Sequence, residues 1–477
     1  MNSWQLDTLG NTTRTFYLHQ LPMSRFFKLL SLLLLVGINL KSQTPGEISP
    51  YVVCDLNKQH SYAIYLPTNY SPDKEWPTLF LYSASGNGMA GMEIFKPAAE
   101  EYGYILVGSH NYRNGPVDQG FEAARILLEE VTKKYPVNMQ RIYTGGMSGG
   151  ARMATTVAVV TNKIAGVIAI GASFNFLNKP SAKNSFTFVG VAGDKDMNYL
   201  ELVKATREVR ELNINSHLIT YDGKHRWCGE PQATEAMQWL ELDAIKKGLK
   251  RDDQNFANIF LKRQMDKGKE LTSSQSLTEA HALYESLGQF YTDNISEAMA
   301  SLKKEKAFKK QSRIRSSTLE KESQRERDIR SGFNNIDMVM KSDSVYRWWQ
   351  TQTMQWRKEQ KNARPLEARN SATRSLGFIG LFAFSTASSH INAGKWDMAL
   401  PYLKVAALIN PDHADVNYFM AKLYALNQDS RNSKKHQKKA LNAGFKREDG
   451  SSDINEESLQ DPKEFEWLRW RVIDALF

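Results

Sequence analysis

Between residues 50 and 249, short apolar runs alternate with helix-like stretches, and this alternation constrains the fold more than any other feature of the chain. Residues 61–66 alternate in polarity as a strand does and stop at Pro67. Residues 78–82 and 104–107 are continuous apolar runs suited to strands buried on both faces. Residues 141–144 read as a further strand ending in Gly145-Gly146, and 165–170, 186–191 and 217–221 are three later apolar runs. Helical patterns lie between them at 92–102, 121–134, 151–161, 199–212 and 230–247, punctuated by Gly103, Pro136 and Gly248. Strands and helices at this spacing demand right-handed crossovers and a mostly parallel sheet covered on both sides. The expected fold class is therefore a three-layer α/β sheet domain over residues 43–250, followed by an all-α region.

Past Lys250 the strand-like alternation ends. Residues 251–375 form a charged helical region in which 303–330 is dense in both signs with little apolar stripe. Such a segment is either an exposed helix laced with i,i+4 pairs or a flexible linker. Residues 376–450 carry a repeat: Ala387 and Ala421, His390 and Tyr424, and Ala406 and Ala440 are each 34 residues apart. Gly394, Ala399, Leu403, Ala406 and Pro411 in one unit, and Met420, Ala421, Tyr424 and Ala440 in the next, resemble the tetratricopeptide pattern. The tryptophan usual near the start of such a unit is missing. The resemblance implies helical hairpins that bind a protein partner, with residues 280–310 as a degenerate further repeat; a generic array of helical hairpins is the other reading, and 451–477 is expected to be a C-terminal helix.

A chain of 477 residues exceeds one ordinary core and fits two or three domains. The net charge of +10 comes from Lys and Arg interleaved with Glu in the second half, the pattern of solvated helices, so no nucleic-acid partner is expected. Residues 26–40 form an apolar, leucine-rich run behind Met23-Ser24-Arg25, the layout of a signal peptide. On this reading Met23 is the initiator, residues 1–22 lie upstream of it, and cleavage follows Ser42; the alternative is an uncleaved N-terminal anchor. Both place the domain outside the cytoplasm, secreted or periplasmic, with no membrane segment beyond this one. Cys54 and Cys228 then either pair or remain two buried thiols. No CxxC or Cys/His cluster points to a structural metal, and no cofactor is expected.

The chemistry centres on Gly146-Met147-Ser148-Gly149-Gly150, a G-x-S-x-G motif directly after one expected strand and before an expected helix. That strand–turn–helix is what a nucleophile elbow needs, because Cβ atoms beside the serine would crowd the turn. A serine hydroxyl needs a base, and in this architecture an acid follows a later strand and a histidine the last one. Asp194 and Asp196 close the strand ending at Val191, and His225 lies in Gly223-Lys224-His225-Arg226-Trp227 after the final strand. His217, inside that strand, reads as a core histidine; Trp227 either lines an acyl pocket or covers the site.

With these motifs the domain resembles the α/β-hydrolase superfamily, and within it the secreted serine esterases related to polyhydroxybutyrate depolymerases and feruloyl esterases. The resemblance implies Asp196, in Gly193-x-x-Asp196, as the acid and His225, in Gly223-x-His225, as the base. Asp194 then caps the turn or the helix that follows. It further implies attack by Ser148, an acyl-enzyme and hydrolysis by water. The family usually has His-Gly where this chain reads Tyr82-Ser83-Ala84-Ser85-Gly86; the oxyanion hole expected here uses main-chain N–H groups of Ser83 or Ala84 with Gly149. The absence of an obvious lid insertion implies an open cleft for a bulky or polymeric ester. A serine peptidase of the same fold and an inactive binding scaffold are the other readings.

Overall fold

The computed structural model describes residues 43–334, 343–447, 449–465, 468, 471 and 472. The expected signal segment lies outside these residues. Among them, no helix is long and apolar enough to cross a membrane.

Eight strands form one sheet: β1 (Ile48–Val53), β2 (Ser61–Tyr65), β3 (Trp76–Ser83), β4 (Ile105–Ser109), β5 (Val137–Met147), β6 (Gly166–Ile170), β7 (Thr187–Gly193) and β8 (Ser216–Tyr221). Their order is β1-β2-β4-β3-β5-β6-β7-β8. β1 and β2 pair antiparallel with their neighbours, and every pairing from β4 through β8 is parallel. β1, an edge strand whose residues are mostly half-buried or exposed, lacks the continuous apolar run that marks the other strands.

Both faces of the sheet are apolar because successive side chains point opposite ways. Phe80 and Tyr82 of β3 enter one cluster with α2 (Val117–Lys134), α3 (Gly149–Thr161) and α4 (Tyr199–Glu211). Leu79 and Leu81 enter the other with α1 (Met92–Tyr102) and α5 (Glu230–Lys246). This is the three-layer α/β architecture.

The second cluster does not stop at Lys250. It continues into α6 (Phe256–Ser273), α7 (Leu277–Leu287) and α8 (Thr292–Lys304), with the Trp239 ring of α5 edge-on to Phe260 at 5.1 Å. From Lys306 onward the charged segment is one helix, α9 (Lys306–Asn334), and it is neither wholly exposed nor a linker. Its buried side includes Glu322, Arg325 and Ile329, so charged residues fill positions where an apolar stripe would otherwise run. Beyond it come α10 (Asp343–Asn362), α11 (Leu366–Asn392), α12 (Trp396–Ala407), α13 (Ala414–Leu426), α14 (Ser430–Asn442) and the short α15 (Glu456–Gln460). α12 and α14 begin 34 residues apart, and Ala387, Ala399, Ala406, Ala421 and Ala440 are all buried where these helices meet.

Glu326 of α9 shows what this charged interior entails. Burial, followed by the nearby Glu322 charge, pushes its carboxyl up to about 7 against the opposing pull of Lys204 and Arg330. A carboxyl whose folded-state affinity for protons is raised costs stability as pH climbs from its unfolded value toward 7. Replacing it with a neutral isostere removes that cost. Glu326→Gln is expected to be more stable than wild type in urea unfolding at pH 8, with the advantage shrinking to nothing below about pH 4.5.

Candidate active site

The carboxyl ends of the central parallel strands bring three distant side chains together. β5 ends at Met147, and Ser148 follows with φ 58° and ψ −118° before α3 begins at Gly149. A left-handed φ is strained for a side chain bearing Cβ, and here it turns the hydroxyl out from the sheet edge. Two contacts lock the turn. The Ser148 N–H donates to the Ile170 carbonyl of β6 at 2.8 Å. The backbone of Gly150 lies so near β3 that a Cβ there would be 1.9 Å from the Tyr82 carbonyl oxygen, and one on Gly146 would be 2.5 Å from it. Both glycines are thus required by close approach of main chain to main chain.

β7 and β8 deliver the partners. The turn after β7 is closed by Asp196 N–H donating to the Gly193 carbonyl (3.0 Å), and it is laced to the histidine loop by Lys195 N–H donating to the Gly223 carbonyl (2.9 Å). A Cβ on Gly193 would sit 2.3 Å from that same carbonyl oxygen, so the two turns touch. Across this junction Asp196 Oδ1 lies 2.9 Å from His225 Nδ1, and His225 Nε2 lies 2.9 Å from Ser148 Oγ. A carboxylate can only accept, so Nδ1 carries the proton and Nε2 faces the serine hydroxyl as acceptor. Asp196 is 1% exposed, and its Oδ1 also accepts the Asn198 N–H at 2.8 Å. Asn198 in turn donates its side-chain amide to the Gly171 carbonyl at 2.7 Å. Gly171, at φ +63°, packs against both partners; a Cβ there would lie 2.9 Å from Asp196 Oδ2 and 3.1 Å from His225 Nδ1.

The other residues singled out in the sequence fall as follows. Asp194 does not reach His225; its Oδ1 accepts the Gly223 N–H at 3.2 Å, which makes it a cap for the turn. Ser83 is paired with Met147 across the β3–β5 ladder, and its main-chain nitrogen lies 3.1 Å from where a Cβ on Gly150 would be. Its carbonyl accepts the Gly86 N–H, closing the turn that contains Ala84. Ser83, Ala84 and Gly149 are therefore gathered at one place, and Gly149, first residue of α3, has an N–H with no acceptor inside its helix. His217 stacks on Trp239 at 4.1 Å and is held neutral by burial, a core histidine. Trp227 covers Gly91 at the start of α1, where a Cβ would meet the ring at 2.6 Å. Cys54 and Cys228 are free, buried, and in the clusters on opposite faces of the sheet. Burial pushes their thiols up to about 11 and about 12, so neither is a ready nucleophile.

Two neighbours of the serine were not legible in the sequence. The Tyr112 hydroxyl donates to the Gly149 carbonyl at 2.6 Å, and the Asn114 side-chain amide lies over Gly149, while the Asn114 main-chain N–H donates to the Ala84 carbonyl at 2.9 Å. Both belong to the loop after β4, which carries no motif of its own. Among the described residues, no cluster of His, Cys, Asp and Glu is arranged to hold a metal ion.

No protein-family model matches the chain, and no curated protein sequence matches it. Solved structures do align with it. The S-formylglutathione hydrolase FrmB from Staphylococcus aureus is 13% identical, with a TM-score of 0.35, covering 41% of this chain and 97% of its own. The feruloyl esterase module from Clostridium thermocellum is 14% identical, with a TM-score of 0.33, covering 41% of this chain and 88% of its own. An esterase from Pyrobaculum calidifontis is 13% identical, with a TM-score of 0.32, covering 48% of this chain and 92% of its own.

The elbow's dependence on bare backbone is directly testable. Gly150→Ala is expected to force α3 away from β3, lowering stability by about 1–3 kcal/mol and parting Ser148 from His225. Urea unfolding and a structure of the variant check this; an unchanged midpoint with the 2.9 Å contact intact would show that the turn has room to spare.

Proposed function

We propose that the chain is an exported serine hydrolase that cleaves carboxylic esters through an acyl-enzyme on Ser148. The observation that carries this reading is the hydrogen-bonded series Ser148 Oγ, His225 Nε2, His225 Nδ1, Asp196 Oδ1, with both links at 2.9 Å. In the first half-reaction His225 takes the serine proton as the hydroxyl attacks the ester carbonyl, and Asp196 holds the tautomer and offsets the imidazolium charge. The negative oxygen that develops is met by main-chain N–H groups at Gly149 and at Ser83 or Ala84, aided by the positive end of α3. His225 then protonates the departing alcohol. In the second half-reaction it activates water, which releases the acid and restores Ser148.

The preferred substrate is a bulky or polymeric ester. Supporting this, the loop after β6, which begins at Gly171 beside His225, displays Phe176 and Leu177 at 80% and 64% exposure. Large apolar side chains so open to water mark a surface that meets an apolar partner. Export rests on the signal-like run at 26–40. The helical hairpins of α11–α14 are read as tetratricopeptide-like units that hold a protein partner.

Labelling by a fluorophosphonate probe tests the core of this reading. The wild-type chain is expected to label, and Ser148→Ala to lose all labelling while keeping its circular dichroism. Among acetyl, feruloyl, hydroxybutyryl and peptide substrates, turnover is expected on the esters, with release of acid from polysaccharide or polyester. Folded wild-type protein that never labels would leave only a binding scaffold, and turnover confined to peptides would make it a peptidase.

A further inference from the structure

The turn that carries Asp196 is held from two sides, and only one of them is the sheet. On the far side stands α11. The Asn370 side-chain amide donates to Asp194 Oδ2 at 2.7 Å, while the other oxygen of that carboxylate accepts from Gly223. One helical turn further on, Arg374 Nη1 donates to the Asp194 main-chain carbonyl at 2.7 Å. The other two nitrogens of this guanidinium are engaged as well. Nε and Nη2 take both oxygens of Glu322 in α9, at 2.8 and 2.6 Å, and Nη2 also reaches Glu367 at 2.9 Å. The Arg374 and Glu322 side chains are each 1% exposed, and the guanidinium lies 4.5 Å over the ring of Tyr199, the first residue of α4. Met197, next to the acid, belongs to the hydrophobic cluster of the later helices and not to either sheet cluster. α11 approaches it so closely that a Cβ on Gly377 would stand 3.2 Å from Met197 Cβ.

The carboxylate itself has little to orient it. Among the described residues Asp196 Oδ2, which is buried, has no hydrogen-bond partner, so the group is aimed through Oδ1 and through the backbone of its turn. A turn displaced by a fraction of an ångström would carry Oδ1 off the imidazole. Arginine suits the task of preventing this: its planar fork is fixed by a bidentate carboxylate, which leaves Nη1 one direction in which to point. Burying such a charge is costly unless it is paired and hydrogen-bonded, and here its partners include the main chain of the acid turn.

We propose that Arg374 and Asn370 are positioning residues for the acid of the triad, and that the helical region clamps the 193–198 turn so that Asp196 Oδ1 faces His225 Nδ1. The proposal rests on the reading of Ser148, His225 and Asp196 as a catalytic triad. It makes the helical region a working part of the hydrolase as well as a module for partners. α11 continues unbroken from these contacts to Ala387 and Ile391, in the cluster it shares with α12, so the acid and the helical hairpins share one element.

The test uses the full chain and three variants: Arg374→Met, Arg374→Lys and Asn370→Ala. Steady-state kinetics are measured on an ester that the wild type cleaves. The imidazole Nδ1–H of His225, shifted far downfield by its carboxylate partner, is followed by NMR. Arg374→Met is expected to lower kcat roughly 10- to 100-fold and to weaken the downfield signal, with KM held within about twofold. Lysine is not expected to rescue it, since an ammonium cannot grip Glu322 with two parallel bonds and reach Asp194 as well. Asn370→Ala leaves the buried ion pair in place and is expected to lose about 3- to 10-fold in kcat, in the same sense. Wild-type kcat and an unchanged signal in folded Asn370→Ala overturn the clamp, whether or not Arg374→Met folds. A wild-type chain with no Ser148-dependent turnover refutes the catalytic reading instead; the NMR signal of wild type and variants then still decides whether α11 holds the aspartate in place.

Discussion

Everything at the sheet's carboxyl edge depends on the contact between the Tyr82 carbonyl and the bare backbone of Gly146 and Gly150. That contact lets β5 run straight into α3 with no more than one residue, Ser148, between them. The chain can turn so sharply only because nothing projects from the residues on either side. The turn puts the hydroxyl at the end of a central strand, where the loops after β7 and β8 converge, and it aligns α3 behind the serine. Were a methyl group present at either glycine, the helix would ride up from β3, and the 2.9 Å link to His225 would open.

The meeting of Asp196 and His225 depends on a second junction, the contact of the Gly193 turn with the Gly223 turn. Neighbouring parallel strands end side by side, so loops far apart in sequence meet whenever both strands stop at the same level. Here Gly193 pairs with Tyr221, and the two loops leave the sheet together. Asp194 and Asp196 divide the work between them: the first ties the two turns through its side chain, and the second aims at the imidazole.

The helical region is integrated with the sheet domain, and charge does much of the joining. α6–α8 extend one apolar layer, whereas α11 meets the turn that carries Asp196 through Arg374 and Asn370, and Glu322 of α9 pairs with that arginine. A buried arginine held by two carboxylates and a main-chain carbonyl specifies geometry more sharply than an apolar contact would, because its planar fork fits few arrangements. The same interior leaves Glu326 partly stranded, with its carboxyl displaced toward neutrality by burial.

Local pattern determined the strands from β2 to β8, the helices between them, the elbow at Ser148 and the glycine-marked loops of Asp196 and His225. Each of these follows from periodicity or turn chemistry within a few residues, so each was legible in the sequence. β1 was not, since an edge strand needs no apolar run, and neither were Tyr112 and Asn114, whose loop has no motif. The role of 303–330 was beyond local reading for a related reason: a charged residue looks solvated until a partner far along the chain is known. The pairing of Glu322 with Arg374, the grip on Asp194 and the separation of the two cysteines onto opposite faces were decided by tertiary packing alone. These are long-range matches of charge and shape, and no window of sequence contains both halves of them.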